Sequence, residues 1–288
     1  MNIIQFWNKI PSVIRGLIIG LIIQVIGVIP LFMLIPLNVE RFPEIPWVLV
    51  IGLLFIWLFW KFFSGQKYIF PGSLNRIDLS RTRKMNSKSI KWTIISGIFL
   101  SVTLFSFVFI GYMLAEVPLQ QVELISSLKG VPVWTSLSLL LMASLATGLV
   151  EEMAWRGYAQ RIIEKKNKAT LAIIIVALAF TLIHFLPVQV WPLFFLGSLG
   201  WGFLAYYSNS IIPGIIFHTL IDFTAFVWAL YNLESLKEIL IYNVFKDGFN
   251  SLFQTLLIIA IISTITTVYS FKNLKSIQSS KIIEKTEE

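Results

Sequence analysis

Two adjacent carboxylates and an arginine, Glu151, Glu152 and Arg156, stand at the end of the apolar run from Val133 to Val150. On an α-helix, Glu152 and Arg156 are four residues apart and share a face, where they can pair. Glu151 points about 100° away around the helix axis, so we expect its carboxylate to remain free. If the run crosses a bilayer, a carboxylate at its centre costs roughly 2.5–3.5 kcal/mol even on lenient insertion scales. Two carboxylates at this point therefore indicate a functional site.

The other groups able to do acid–base chemistry inside apolar runs are the two histidines of the chain and one aspartate. His218 and Asp222 are four residues apart and share a helix face, while His184 ends a separate run. Ionisable residues inside membrane spans usually face a bundle interior or a watery cavity and mark function. The rest of the chain must then bring these groups together.

The composition is that of a membrane protein rather than a soluble domain. Of 288 residues, 57% are hydrophobic and 13% are charged, and the mean hydropathy is +0.81. Because there is no cysteine, disulfides and thiolate metal sites are excluded. The formal net charge of +8 does not indicate a nucleic-acid partner, because the basic residues lie between apolar runs, as the positive-inside rule describes for cytoplasmic loops.

Apolar runs of about 18 residues or more predict an all-α, polytopic membrane helix bundle with about eight transmembrane helices. The segment 64–91 is strongly basic and holds a single acid, Asp78, which places it in the cytoplasm. Alternation then puts both termini in the cytoplasm and the loops 40–44, 116–129 and 234–247 outside. The predicted spans cover residues 12–36, 46–63, 90–115, 133–160, 169–186, 190–207, 211–231 and 250–271.

Depth along these spans predicts where the polar groups meet. At 1.5 Å per residue, His218 and Asp222 lie about 10 and 16 Å from the start of their span, and Glu151 lies at a similar depth. These depths predict one cavity that opens to the cytoplasm. His184, about 22 Å from the start of its span, fits less well and requires a tilted or deeply placed helix.

Three short motifs follow one another on successive predicted spans: Glu-Glu-x-x-x-Arg at 151–156, Phe-x-x-x-His at 180–184 and His-x-x-x-Asp at 218–222. In this order and spacing they resemble the CAAX protease and bacteriocin-processing family, also called the abortive-infection family, whose eukaryotic relatives are the type II CAAX prenyl endopeptidases. The resemblance covers about residues 133–231. It divides the chain into spans one to three with the basic loop (1–132), a catalytic core (133–231), and the last span with a polar cytoplasmic tail (232–288).

The resemblance implies an intramembrane endopeptidase in a bacterial plasma membrane, acting on a peptide or protein substrate. In such an enzyme Glu151 and His184 activate the attacking water, and His218 and Asp222 hold the oxyanion. The site would be shaped by Glu152 with Arg156. This division of labour suits peptide hydrolysis, which needs a general base, a proton donor for the leaving amine and stabilisation of a tetrahedral oxyanion.

One position departs from the family pattern. Prenyl endopeptidases of this family usually have Asn where this chain has Asp222, and an ionised Asp cannot donate a hydrogen bond. Asp222 must therefore be protonated, act through His218 or water, or bind a metal. The favoured mechanism requires no cofactor. The alternative is a metalloendopeptidase in which Glu152, His184, His218 and Asp222 hold zinc, although the familiar His-Glu-x-x-His arrangement is absent.

Two other functions stay open at this stage. A non-catalytic membrane protein, such as a bacteriocin immunity or scaffold protein, would keep the site but act by binding. A proton-coupled transporter also carries Glu, His and Asp within its spans, but the inverted repeats and broken helices typical of transporters are not evident. In every case the surrounding partner is the lipid bilayer, with no nucleic acid.

Overall fold

The apolar runs fold as helices because a bilayer core offers no partners for backbone amides, so each segment must satisfy its own. The computed structural model describes residues 3–67, 69–85, 87–115 and 123–287. Within these residues the chain forms fourteen α-helices and no β-strand, which confirms the predicted all-α class. The helices are α1 (Ile3–Lys9), α2 (Ser12–Arg41), α3 (Trp47–Phe63), α4 (Leu74–Ser80), α5 (Ser87–Leu114), α6 (Glu123–Ser127), α7 (Val133–Glu151), α8 (Gln160–Glu164), α9 (Ala169–Leu182), α10 (Trp191–Ser208), α11 (Ile212–Tyr231), α12 (Leu233–Ile241), α13 (Val244–Asp247) and α14 (Ser251–Glu287). A π-helical segment, Glu152–Ala159, joins α7 to α8.

Six helices in the described part of the chain are long and apolar enough to cross a membrane: α2, α5, α7 with its continuation to Glu164, α10 with the turn before it, α11 and α14. The other two predicted spans correspond to α3 and α9, which are apolar but have only 17 and 14 residues. α3 reaches the lower limit for a span, whereas α9, about 21 Å long, falls short of it. The protein is thus a polytopic membrane helix bundle, and residues 116–122 of its predicted external loop lie outside the described residues.

The last helix packs antiparallel to α5 through small hydroxyl residues. The Oγ atoms of Ser96 and Ser270 lie 2.7 Å apart, and Thr103 donates to the Oγ of Ser263 at 2.8 Å. Lipid tails are as apolar as leucine, so close packing and hydrogen bonds of this kind hold membrane helices together. Beyond this contact α14 continues as a helix through the polar tail to Glu287.

A close approach of α7 and α11 sets the position of the second histidine. A Cβ atom at Gly148 would lie 2.3 Å from Oγ1 and 2.8 Å from the backbone nitrogen of Thr219, so only glycine fits there. The neighbouring His218 consequently faces the carboxylates at the end of α7.

The basic loop between α3 and α5 (described residues 64–67 and 69–85) folds back onto α8. Asp78 of α4 pairs with Arg83, Arg161 and Lys165 at 2.8, 2.9 and 3.1 Å. Partial burial would raise the pKa of Asp78, but hydrogen bonds and charges from Arg161 and Lys165 hold it at about 2. The carboxylate is therefore ionised at neutral pH and ties the loop to the bundle.

A second, buried ion pair closes the same end of the bundle. Arg81, in the left-handed backbone conformation with φ 52°, pairs with Glu164, and its Nη1 donates to the carbonyl of Arg156 at 3.5 Å. The backbone of Ser80 lies against the π-helical segment, since a Cβ atom at Gly157 would stand 3.1 Å from the carbonyl oxygen of Ser80. The basic loop thus covers the bundle directly below the carboxylates.

Candidate functional site

The floor of the candidate site forms where α7 changes into the π-helical segment. The amide of Gln160 bonds to the carbonyl of Trp155, five residues earlier, which is the π-helical pattern. All eight residues of the segment are buried. The Nη1 of Arg156 lies 3.3 Å from Oε1 of Glu152, as the sequence predicted for this pair. Such π-helical turns are rare and frequently occur at functional sites.

Arg156 is a fully buried cation that connects three helices. Its Nη2 donates to the Oγ of Ser198 on α10 at 3.0 Å, and its guanidinium carbon lies 4.2 Å from the ring centroid of Phe180 on α9. A cation above an aromatic ring is attracted by the ring's quadrupole, and more strongly where water is excluded. With Glu152, these contacts compensate a charge that would be costly to bury alone.

His218 lies between three carboxylates. Its Nδ1 is 3.1 Å from Oε1 of Glu152, and its Nε2 is 3.9 Å from Oε2 of Glu151 and 3.6 Å from Oδ2 of Asp222. The imidazole stacks on Trp201 of α10, with centroids 5.9 Å apart and an interplanar angle of 11°. Nδ1 thus contacts Glu152, while Nε2 faces the carboxylates of Glu151 and Asp222.

Glu151 is not free, contrary to the prediction from the helix geometry. Besides its contact with His218, its Oε1 accepts a hydrogen bond from Nε2 of Gln24 on α2 at 3.4 Å. The Oε1 of Gln24 in turn accepts the indole N–H of Trp155. An indole can only donate, so the amide of Gln24 must turn its oxygen to Trp155 and its NH₂ group to Glu151. The sequence contained one signal for this contact, a single glutamine in the apolar run of α2.

Asp222 also has a partner that sequence reasoning missed. Thr147, one turn before Glu151 on α7, donates from Oγ1 to Oδ2 of Asp222 at 2.7 Å. The Asp222 side chain is 25% exposed, whereas that of Glu152 is 0% exposed. Asp222 therefore faces open space, while Glu152 is part of the floor.

His184 lies just past the end of α9, in the turn before Pro187, as expected for a histidine near a helix end. Its Nδ1 is 2.6 Å from the carbonyl oxygen of Phe180. A carbonyl only accepts, so Nδ1 carries a proton, and in the neutral form of the ring Nε2 keeps its lone pair. α9 ends after 14 residues, and the turn that follows it places His184 in the same cavity as Glu151, His218 and Asp222. Among the described residues, no ring nitrogen of His184 lies within 4 Å of a carboxylate oxygen of Glu151.

Glu151, His184, His218 and Asp222 line one cavity of about 620 Å³. Its walls beyond these groups are largely apolar and aromatic, and they extend to Tyr112 near the end of α5 and to Leu240 on α12. The sequence predicted an opening toward the cytoplasmic basic loop. That opening is not confirmed: the floor of the cavity on the side of the basic loop is buried, and the lining residues reach Tyr112 and Leu240 at the other end.

The zinc alternative requires Glu152, His184, His218 and Asp222 to converge on one point. In the part of the chain that the structure describes, no three or more such side chains are placed to hold a metal ion. Glu152 is engaged with Nδ1 of His218, and Nδ1 of His184 faces a backbone carbonyl. The residues present do not fit zinc as arranged, so we derive no step through a metal.

A comparison with known protein families identifies the part of the chain that carries these groups. Residues 132–224 match the family model described as type II CAAX prenyl endopeptidase Rce1-like. This stretch is similar to an Rce1-like domain. All six candidate residues lie within the match, which confirms the resemblance indicated by the three motifs. No curated protein and no solved structure matches the chain.

Gln24 lies outside the matched residues 132–224, and we predict that it positions Glu151. Gln24→Met keeps the length of the side chain but removes both amide contacts. A hydrogen bond to a charged group contributes about 1.5 kcal/mol or more, so turnover should fall roughly tenfold. The acid limb of the pH–rate profile should move to higher pH, because the ionised carboxylate loses a donor. The measurement is kcat and KM against pH.

Gln254→Met on α14, at an exposed position away from the cavity, is the matched control and should change neither quantity. An unchanged pH profile in Gln24→Met would show that the amide does not act on Glu151, whatever its effect on stability.

Proposed function

We propose that the chain is an intramembrane endopeptidase that hydrolyses a peptide bond with a water molecule activated by Glu151 and His184. The observation that best supports this proposal is the convergence of Glu151, His184, His218 and Asp222 on one apolar cavity. The similarity to an Rce1-like domain supports the reaction class. The individual roles follow from the contacts of each group.

Two hydrogen-bond acceptors at the cavity can activate the attacking water. The carboxylate of Glu151 borders the cavity, and Nε2 of His184 offers a lone pair because its Nδ1 is engaged with a carbonyl. A water held between them would be polarised from both sides. As its oxygen bonds to the carbonyl carbon of the substrate, Glu151 takes one proton, and the carbonyl π electrons move onto the substrate oxygen.

His218 is the candidate for holding the resulting oxyanion. Its Nδ1 donates to Glu152, and its Nε2 faces the cavity beside Glu151 and Asp222, where a proton on Nε2 would supply the donor. A donor fixed in place before the reaction stabilises developing charge without reorganisation. Asp222, if protonated, adds a second donor, with its Oδ2 held by Thr147.

Collapse of the tetrahedral intermediate completes the reaction. The oxyanion electrons re-form the carbonyl, the C–N bond breaks, and Glu151 returns its proton to the leaving nitrogen. Water is the only co-reactant. Glu152 and Arg156 take no part in proton transfer in this scheme; they hold His218 in place from below.

We predict that Glu151→Gln abolishes proteolysis while the protein still inserts into the membrane. Gln keeps the shape of the side chain but cannot take the proton of water, and loss of a general base costs about 10²-fold or more. The measurement compares the membrane peptides of wild-type and Glu151→Gln cells, followed by turnover of a peptide found in this way. Glu152→Gln, at the neighbouring residue, is the matched control. It should lower turnover less than Glu151→Gln but lower stability more, because it leaves Arg156 unpaired.

Near-normal turnover in Glu151→Gln would place the base elsewhere. A cellular phenotype that persists in Glu151→Gln, without any difference in peptides, would favour the binding-only immunity or scaffold function.

We further predict that Asp222→Asn retains activity. Asn has nearly the same shape and always offers N–H donors, so it should replace a protonated Asp. Any decrease in activity at high pH that is caused by ionisation of Asp222 should then disappear. If Asp222 instead binds zinc, Asn is a poorer ligand, and activity should drop and partly return with added zinc. The measurement is turnover against pH, with and without a chelator and added zinc. An inactive Asp222→Asn rescued by zinc, together with a chelator-sensitive wild type, would overturn the donor role.

A further inference from the structure

We infer that the cavity takes an apolar peptide segment that reaches it from the side of the membrane opposite the basic loop. This inference rests on the proposed function for its substrate, a peptide bond. It goes beyond that function by naming the route of entry and the chemistry of the segment that binds.

The route from the basic loop to the carboxylates is closed. Every residue of the π-helical segment is buried, and Gln160, the next residue along the chain, is 0% exposed. Below these residues lies the buried Arg81–Glu164 pair, and the carbonyl of Ser80 packs against Gly157. A peptide entering from this end would have to break buried ion pairs. Separating the partners of a buried pair strongly destabilises the folded protein, because it leaves a buried charge uncompensated.

The cavity extends the other way. From Glu151 its walls pass Val108 and Ala225 on the facing helices α5 and α11 and reach Tyr112, Trp228 and Leu236, all at the end where α12 lies. Asp222, at the inner end, is 25% exposed, so the space reaches the catalytic groups. A volume of about 620 Å³ lies in the range of pockets that enclose a small ligand or a few residues.

The charge of the walls restricts what can bind. Among the described lining residues there are two carboxylates, Glu151 and Asp222, and no lysine or arginine. The nearest arginine, Arg156, is 0% exposed beneath the floor and already paired with Glu152. A free C-terminal carboxylate would have to compete with Glu151 and Asp222 for the single imidazole of His218, so an uncharged, apolar stretch within a chain is the better fit.

The distribution of charge along the chain indicates which side of the membrane each end of the bundle faces. The basic residues of segment 64–91 lie at the end of the bundle that the floor closes, and the positive-inside rule places that end in the cytoplasm. The cavity therefore faces the outer side of the membrane. Its substrate would be an exported peptide or the outer part of a membrane-anchored chain.

Single cysteines test the route directly, because the chain has none of its own. Val108→Cys and Ala225→Cys report on the cavity walls, and Ser80→Cys reports on the closed end. The exposed residues Ser87 and Ser126 serve as references for the two faces of the membrane. A membrane-impermeant thiol reagent is applied to intact cells and to inside-out vesicles.

We expect Val108→Cys and Ala225→Cys to react from the same face as Ser126→Cys, and Ser80→Cys to react from neither. Reaction of the two cavity cysteines from the face that labels Ser87→Cys, or from neither face, would overturn the inference. Labelling does not depend on turnover, so this result stands apart from the test of Glu151 as the base.

If Glu151→Gln cells do accumulate uncut peptides, the position of the cut supplies a second readout. We expect cuts within apolar stretches at the outer side of the membrane. Cuts confined to a few residues from the C-terminus of cytoplasmic proteins would contradict the inference while leaving the endopeptidase activity intact.

Discussion

The structure depends on one constraint, which is that an imidazole, three carboxylates and a guanidinium must share a small volume inside a membrane. Each charge alone would be costly there, and each is held because the others are close. Glu152 is the centre of this arrangement, with Arg156 at 3.3 Å and Nδ1 of His218 at 3.1 Å. Once these three are paired, Glu151 and Asp222 remain on the cavity side of the imidazole, where they can meet a substrate.

Several local features of the fold accommodate this cluster of charged groups. The π-helical segment buries its whole circumference, including Arg156, instead of showing one face to lipid. α9 stops after 14 residues, and His184 in the following turn lines the same cavity as Glu151 and Asp222. Gly214 of α11 makes room for Glu152, because a Cβ atom there would stand 2.5 Å from Oε2 of the carboxylate. Small residues thus allow close helix contact where polar groups meet.

Much of this could be predicted from the sequence. Hydropathy indicated the helix bundle, and helical spacing predicted the Glu152–Arg156 contact, since both depend on local order along one chain segment. The partners of Glu151 could not be predicted, because Gln24 is 127 residues away and nothing local links it to the cluster. The direction in which the cavity opens could not be predicted from the sequence either. Depth along a helix says how far a group lies from each end, but not which end is covered by a loop, as the loop of Arg81 covers the end of α8 at Glu164.

The central claim is that Glu152 and Arg156 form a structural pair that supports the catalytic groups from below. A double-mutant cycle in detergent tests it, with the apparent unfolding temperature of wild type, Glu152→Gln, Arg156→Gln and the double variant. Loss of one partner of a buried pair costs roughly 3–5 kcal/mol, whereas replacing both can be nearly neutral. We therefore expect both single variants to unfold at clearly lower temperatures and the double variant to recover most of the loss. Losses that simply add in the double variant would contradict the account.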